Sequence, residues 1–198
     1  MSAPPKTVLT ATPQEEAAIR AAVRAAPEVL VAGPEHVDGL FALLADPRVS
    51  DPIYDLVRPI TRESVASWVA ESQALREAGR CILAVSLDEA GAVAGYSRFT
   101  IWPERASGEL AGARRADLQN SGAGSRGVAS GIAWMFEALH LRLIGLTAAL
   151  DNVRSAKAID GAGFKRMGEV ESTRPDGTVR RSLYWELTRD EWVRRHRL

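Results

Sequence analysis

The sequence predicts an α/β (α+β) domain built on a single mixed sheet with helices on its faces. Three features carry that expectation. Two pairs of apolar, β-prone runs flank the turns Asp88-Glu89-Ala90-Gly91 and Arg174-Pro175-Asp176-Gly177, as antiparallel hairpins do. Between the hairpins lies a strand, helix and strand in succession, which calls for a parallel pair. At 198 residues and 46% hydrophobic content, the chain can bury one substantial core and shows no sign of two.

Each element has a local reason. Thr12-Pro13-Gln14-Glu15 reads as a capping box with proline at the first helical position, opening a helix to about Ala25. Its apolar face is thin, Ile19 and Val23 among alanines, so residues 1–26 are expected to form an N-terminal helical or flexible extension, with a homodimer contact as its role. Val29-Leu30-Val31 reads as a short strand, and Gly33-Pro34 opens a helix with Val37, Leu40, Phe41 and Leu44 on one face. Asp46 to Ile60, with three prolines, reads as a loop. Thr61 caps a helix whose stripe is Val65, Trp68, Val69 and Leu75, closed by Gly79.

Strands are expected at Arg80 to Leu87, Ala92 to Ile101 and Glu109 to about Arg115. A helix follows with Val128, Ile132, Met135, Phe136 and Leu139 on its packing side. Leu141 to Ala148 is almost wholly apolar, the mark of a strand covered on both faces. Asn152 to Ala162 reads as a short helix, Lys165 to Glu171 and Arg180 to Leu187 as a hairpin, and Thr188 with Glu191 as a second capping box.

Composition narrows the function. Lys and Arg number 25, as do Asp and Glu, so no global field draws the chain to nucleic acid or an anionic membrane. No long apolar run or signal-like segment appears, and the single Cys81, set in an apolar strand, reads as a buried small hydrophobe; a cytoplasmic location is expected. His36, His140 and His196 are scattered without zinc-site spacing, so no metal is expected.

The informative segment is Gln119-Asn120-Ser121-Gly122-Ala123-Gly124, at the start of the helix after the third strand. Glycines at 122, 124 and 127 let a ligand approach the backbone, and a helix start offers unpaired N–H groups and a positive dipole end to a phosphate. Gly122-Ala123-Gly124-Ser125-Arg126-Gly127 also matches a dinucleotide fingerprint, with Asp151 placed 24 residues after Gly127. That reading wants an apolar strand running directly into the first glycine, and here polar residues precede it. A tight turn with close helix packing is the structural alternative.

Gln119-x-x-Gly122-x-Gly124 resembles the Q/R-x-x-G-x-G/A signature of the GCN5-related N-acetyltransferase (GNAT) superfamily. Asn152-x-x-Ser155 followed by Gly163-Phe164 is similar to an element of the branch that acetylates ribosomal-protein N-termini, and Asp46-Pro47-Arg48-Val49 and Trp68 fit that branch. The likeness spans about Val29 to Trp192. It implies a mostly antiparallel central sheet with helices on both faces and acetyl-coenzyme A as co-substrate. The pyrophosphate would lie on Gln119, Asn120, Ser121, Gly122, Ala123, Gly124, Ser125 and Arg126, and the pantetheine on Asn152, in a gap between the strands beginning near Glu109 and Leu141.

Acetyl transfer to an amine needs a neutral nucleophile, yet an α-amine has a pKa of about 8 and a lysine about 10.4, so a base is required. The resemblance puts Glu109 in that role, ten residues before Gln119. Many members carry a tyrosine acid where this chain has Ile159, so Ser155 becomes the candidate for the leaving sulfur, orienting or relaying rather than acting as a strong acid. The loop from Asp46 to Ile60 holds Asp46, Asp51, Asp55 and Tyr54 for a cationic acceptor but also Arg48 and Arg58. The expected function is acetyl transfer from acetyl-coenzyme A to a primary amine, a protein N-terminus or a small molecule, by direct attack. A non-catalytic acyl-coenzyme A-binding module is the alternative.

Overall fold

The computed structural model describes residues 4–53, 56, 58–119, 123–173 and 177–196. Helix α1 (Pro13–Ala25) leads to a 3-10 turn at Pro34–His36, then α2 (Val37–Leu44), α3 (Pro47–Ser50) and α4 (Arg62–Glu77). Strands β1 (Cys81–Leu87), β2 (Val93–Trp102) and β3 (Ser107–Arg114) follow, then α5 (Ala123–Glu137), β4 (Leu143–Ala149) and α6 (Val153–Gly161). The chain closes with β5 (Lys165–Thr173), β6 (Val179–Thr188) and α7 (Arg189–His196).

The six strands form one sheet in the order β1-β2-β3-β4-β6-β5. Every neighbouring pair is antiparallel except β3 and β4, whose parallel pairing covers only Ser107, Gly108 and Glu109 against Leu143, Ile144 and Gly145. Successive residues of a strand point to opposite faces. Accordingly Ile82 joins a core with Phe99, Ile144, Trp185 and the α5 residues Ile132, Met135 and Phe136, while its neighbour Leu83 joins a second core with Leu40, Leu44, Val65 and Val69 of α2 and α4. Helices thus cover both faces.

Local signals place most element ends. The Thr12 hydroxyl accepts from Glu15 N at 3.2 Å while the Glu15 carboxylate accepts from Thr12 N at 2.8 Å, and Thr61 caps α4 through Ser64 N at 3.1 Å. Gly79, at φ +71°, ends α4 in a conformation that a side chain would strain. The Thr188 hydroxyl accepts from Glu191 N in the second expected capping box.

Four details differ from the sequence expectations. Helix α1 is not a loose appendage: Ile19 and Val23 are 1% and 0% exposed and belong to the larger core. Its polar side is committed as well, with Arg20 and Arg24 donating to the carbonyls of Ala78 and Glu77 at the end of α4, groups that lack partners within their own helix. The Val29-Leu30-Val31 strand is reduced to a bridge from Val31 to Ala84. The loop after Asp46 contains α3, capped by the Asp46 carboxylate at Arg48 N. Val128, expected on the packing side of α5, is exposed. Of the expected turn, Arg174, Pro175 and Asp176 lie outside the described residues, as do Tyr54 and Asp55.

Candidate active site

The brevity of the β3–β4 pairing creates the site. Beyond Glu109 and Gly145 the two strands part: Leu110–Arg114 stays bonded to β2, and Leu146–Ala149 stays bonded to β6. Each strand therefore turns one edge of backbone donors and acceptors toward the gap. Glu109 stands where the gap begins, half-buried, with Oε1 accepting from the Thr147 hydroxyl at 3.2 Å.

A polar row crosses the sheet at this level. Gly145 is in register with Glu109 on one side and Glu186 on the other, and Thr147 is in register with Tyr184, so all five residues share one face. Lacking a side chain, Gly145 leaves a notch that the Tyr184 hydroxyl fills: a Cβ there would lie 2.7 Å from it. That hydroxyl donates to Glu186 Oε1 at 2.8 Å. Burial pushes the Tyr184 phenol well above its usual pKa, and the Glu186 hydrogen bond and the charges of Glu186 and Glu109 act in the same direction. These effects favour the neutral, donating form of Tyr184. Glu186, 5% exposed, takes two further bonds from the N-terminal segment, Thr7 N to Oε1 at 3.0 Å and Thr7 Oγ1 to Oε2 at 2.5 Å. A buried carboxylate requires such donors.

The approach to the glycine segment is clamped. Arg115, just past β3, bridges Asp88 and Asp117 at 2.8 Å each, and holds both carboxyls below their usual pKa. Gln119 turns its side chain back onto the Arg114 carbonyl at 3.0 Å, fixing the chain between β3 and α5. Asn120, Ser121 and Gly122 lie outside the described residues. Ala123, Gly124, Ser125 and Arg126 form the first turn of α5, where backbone N–H groups have no carbonyl partner within the helix.

On the far side of the gap α6 starts after the end of β4. Asn152 caps it, Oδ1 accepting from Ser155 N at 3.1 Å, so what Asn152 offers a ligand is its amide NH2. Ser155, half-buried, occupies the third position of the helix. Ile159, in the place where many family members carry a tyrosine, is 7% exposed and packs into the larger core. The structure thus brings Glu109 together with Thr147, Tyr184 and Glu186, which the sequence reading did not single out. A charged residue inside the apolar run Leu183-Tyr184-Trp185-Glu186-Leu187 was the available signal.

The proposed acceptor loop shows mostly internal commitments. Asp46 pairs with Arg48 at 2.7 Å, Arg58 donates to the Ser50 carbonyl, and Arg180 of β6 donates to the Pro52 carbonyl. Cys81 is 1% exposed, and burial pushes its thiol pKa up. Among the described residues no cluster of metal-binding side chains occurs and no helix is long and apolar enough to cross a membrane.

The profile of the acetyltransferase (GNAT) domain family matches residues 30–165, more than half of the chain. The chain belongs to the GNAT family. It is an N-acetyltransferase with the six-stranded open mixed sheet of that fold. Among solved structures, this GNAT enzyme is similar to a ribosomal-protein-S5-alanine acetyltransferase from Vibrio fischeri, with a TM-score of 0.70, 19% identity, and 83% of this chain and 93% of that chain covered. It is also similar to RimJ of Mycobacterium smegmatis in complex with CoA-disulfide, with a TM-score of 0.69, 20% identity and 81% of each chain covered. A third is the microcin C7 self-immunity acetyltransferase MccE in complex with acetyl-CoA and AMP, with a TM-score of 0.69, 12% identity, and 81% and 91% covered. At these identities the three neighbours show the GNAT fold. No curated protein sequence matches it.

Proposed function

We propose that this enzyme transfers the acetyl group of acetyl-coenzyme A to a primary amine, a protein N-terminus or a small molecule, by direct attack within the gap between β3 and β4. One observation carries the reading: the two strands separate immediately after Glu109, leaving a carboxylate at the root of two strand edges that no longer pair with each other. The residues present fit the co-substrate. An amide-rich arm can pair with a strand edge, and the first turn of α5 suits a pyrophosphate. One neighbour in complex with CoA-disulfide and another in complex with acetyl-CoA and AMP support the same choice.

Bound acetyl-coenzyme A supplies the acetyl carbon as an activated thioester. Glu109 accepts the proton of the incoming ammonium, directly or through water, so that the nitrogen lone pair can form the new C–N bond. Thr147 keeps one Glu109 oxygen oriented. Ser155 is assigned to hydrogen-bond the sulfur as the C–S bond breaks; a hydroxyl orients a thiolate but is too weak an acid to protonate it unaided. Gln119 and the residues from Asn120 to Arg126 are assigned to the pyrophosphate, and Asn152 to a pantetheine amide.

The test is release of free coenzyme A thiol from acetyl-coenzyme A against a panel of peptides with free N-termini, polyamines and other primary amines. Amine-dependent release with a mass gain of one acetyl on the acceptor is the expected result. Tight acetyl-coenzyme A binding with no release for any amine would favour a non-catalytic acyl-coenzyme A-binding module.

A further inference from the structure

The N-terminal segment before α1 does more than connect. It crosses the polar row of the site and is tied down on both sides. Lys6 Nζ donates to the carbonyls of Met167 and Glu169 at 3.0 and 3.1 Å, where an irregularity in the β5–β6 register exposes them. Downstream, Arg142 donates to the Thr10 carbonyl at 2.6 Å and Ala11 N to the Glu104 carbonyl at 3.0 Å. Between these anchors Thr7 takes both oxygens of Glu186, and Lys6 N donates to the Tyr184 hydroxyl at 3.3 Å.

The consequence runs through three residues. Glu186 is held by Thr7, the Tyr184 hydroxyl is held by Glu186, and that hydroxyl sits over Gly145, the register partner of Glu109. We infer that Thr7 is a positioning residue for the acceptor amine: by clamping Glu186 it fixes the Tyr184 hydroxyl in the notch beside Glu109 and so shapes the wall against which the amine is held. The inference rests on the proposed amine acetylation. It concerns the acceptor side alone, because the bonds of Thr7 go to Glu186, on the sheet face that carries Glu109.

Thr7 is exposed, so its replacement leaves the core intact. Thr7→Val keeps the β-branched shape and removes the hydroxyl donor, Thr7→Ser restores it, and Tyr184→Phe removes the held hydroxyl itself. With an amine found active for the wild type, Thr7→Val and Tyr184→Phe should each raise the amine KM by about tenfold, the size expected for one hydrogen bond to a charged group. The acetyl-coenzyme A KM should stay within about twofold in both, and Thr7→Ser should return the amine KM to within about twofold of wild type. An active wild type whose Thr7→Val variant keeps its amine KM overturns this inference alone. So does an equal rise in both KM values, which marks a general loosening of the fold. A wild type that releases no coenzyme A with any amine overturns the inference together with the proposed function.

Discussion

Thr147 Oγ1 donates to Glu109 Oε1 at 3.2 Å across the mouth of the gap, so the side chain of the last backbone pair on β3 meets one that lies two residues past that pair on β4. This contact holds the carboxylate oxygen in place while the backbone beside it opens.

Glu109→Gln preserves that contact and the side-chain volume but removes the proton acceptor. Turnover at neutral pH should fall by about 10²-fold or more, with partial recovery as pH rises and free amine becomes abundant. Coenzyme A affinity should be unchanged. Ser155→Ala should cost only about tenfold, since water can replace a weak donor at sulfur. Steady-state rates from pH 6 to 10 check both; wild-type turnover by Glu109→Gln across that range would assign the base elsewhere.

Gly124→Asp separates binding from folding. Gly124 lies in the first turn of α5, where a carboxylate favours the helix dipole and leaves stability intact. The same charge opposes a pyrophosphate. Coenzyme A should raise the Tm of the wild type and not that of the variant. Micromolar coenzyme A binding by the variant would place the phosphates elsewhere.

Ile19→Ala should destabilise the protein by about 3 kcal/mol, because the residue is fully enclosed in the larger core and a cavity would remain. For a chain of this size that lowers Tm by about 6–12 °C. Deletion of residues 1–26 should cost more, since it also releases the arginines on the end of α4. Thermal unfolding of either variant at the wild-type Tm would return α1 to the status of an appendage.

Asp160 supplies a pH-dependent prediction. Arg166 at 2.5 Å and the buried indole of Trp185 at 2.8 Å hold its pKa down to about 2. A carboxyl lowered in the folded state contributes stability above its unfolded value, about 3.9, and loses it as pH falls through the folded one. Asp160→Asn should therefore melt a few degrees below wild type at pH 7, with the difference shrinking between about pH 4 and pH 2. Circular-dichroism melts over that range test it; a constant difference would mean that the charge is not what matters.

What could be read from the sequence was what depends on neighbours in the chain. Thr12 with Glu15, Thr61 with Ser64 and Gly79 each act within a few residues, so type and spacing suffice. Glu109 and the glycine segment were accessible through motif spacing. The bond between Thr7 and Glu186 joins residues 179 apart, and the notch at Gly145 exists only once β4 and β6 are in register. The burial of α1 was hidden for another reason: two aliphatic side chains among alanines look too few, yet small neighbours let the helix settle close against the Pro103–Arg105 turn and α4, where both are enclosed. Neither depends on local propensity, so neither was legible.

The three-residue seam between β3 and β4 also has a mechanical meaning. A sheet resists shear through its continuous ladder of bonds, and here the ladder is broken in the middle, so the halves β1-β2-β3 and β4-β6-β5 are coupled chiefly by what is bolted across their faces. Helices α1 and α5 share one core with residues from both halves and act as the cross-brace. Stiffness at the centre of this enzyme is supplied from outside the sheet, which leaves its interior open without making it soft.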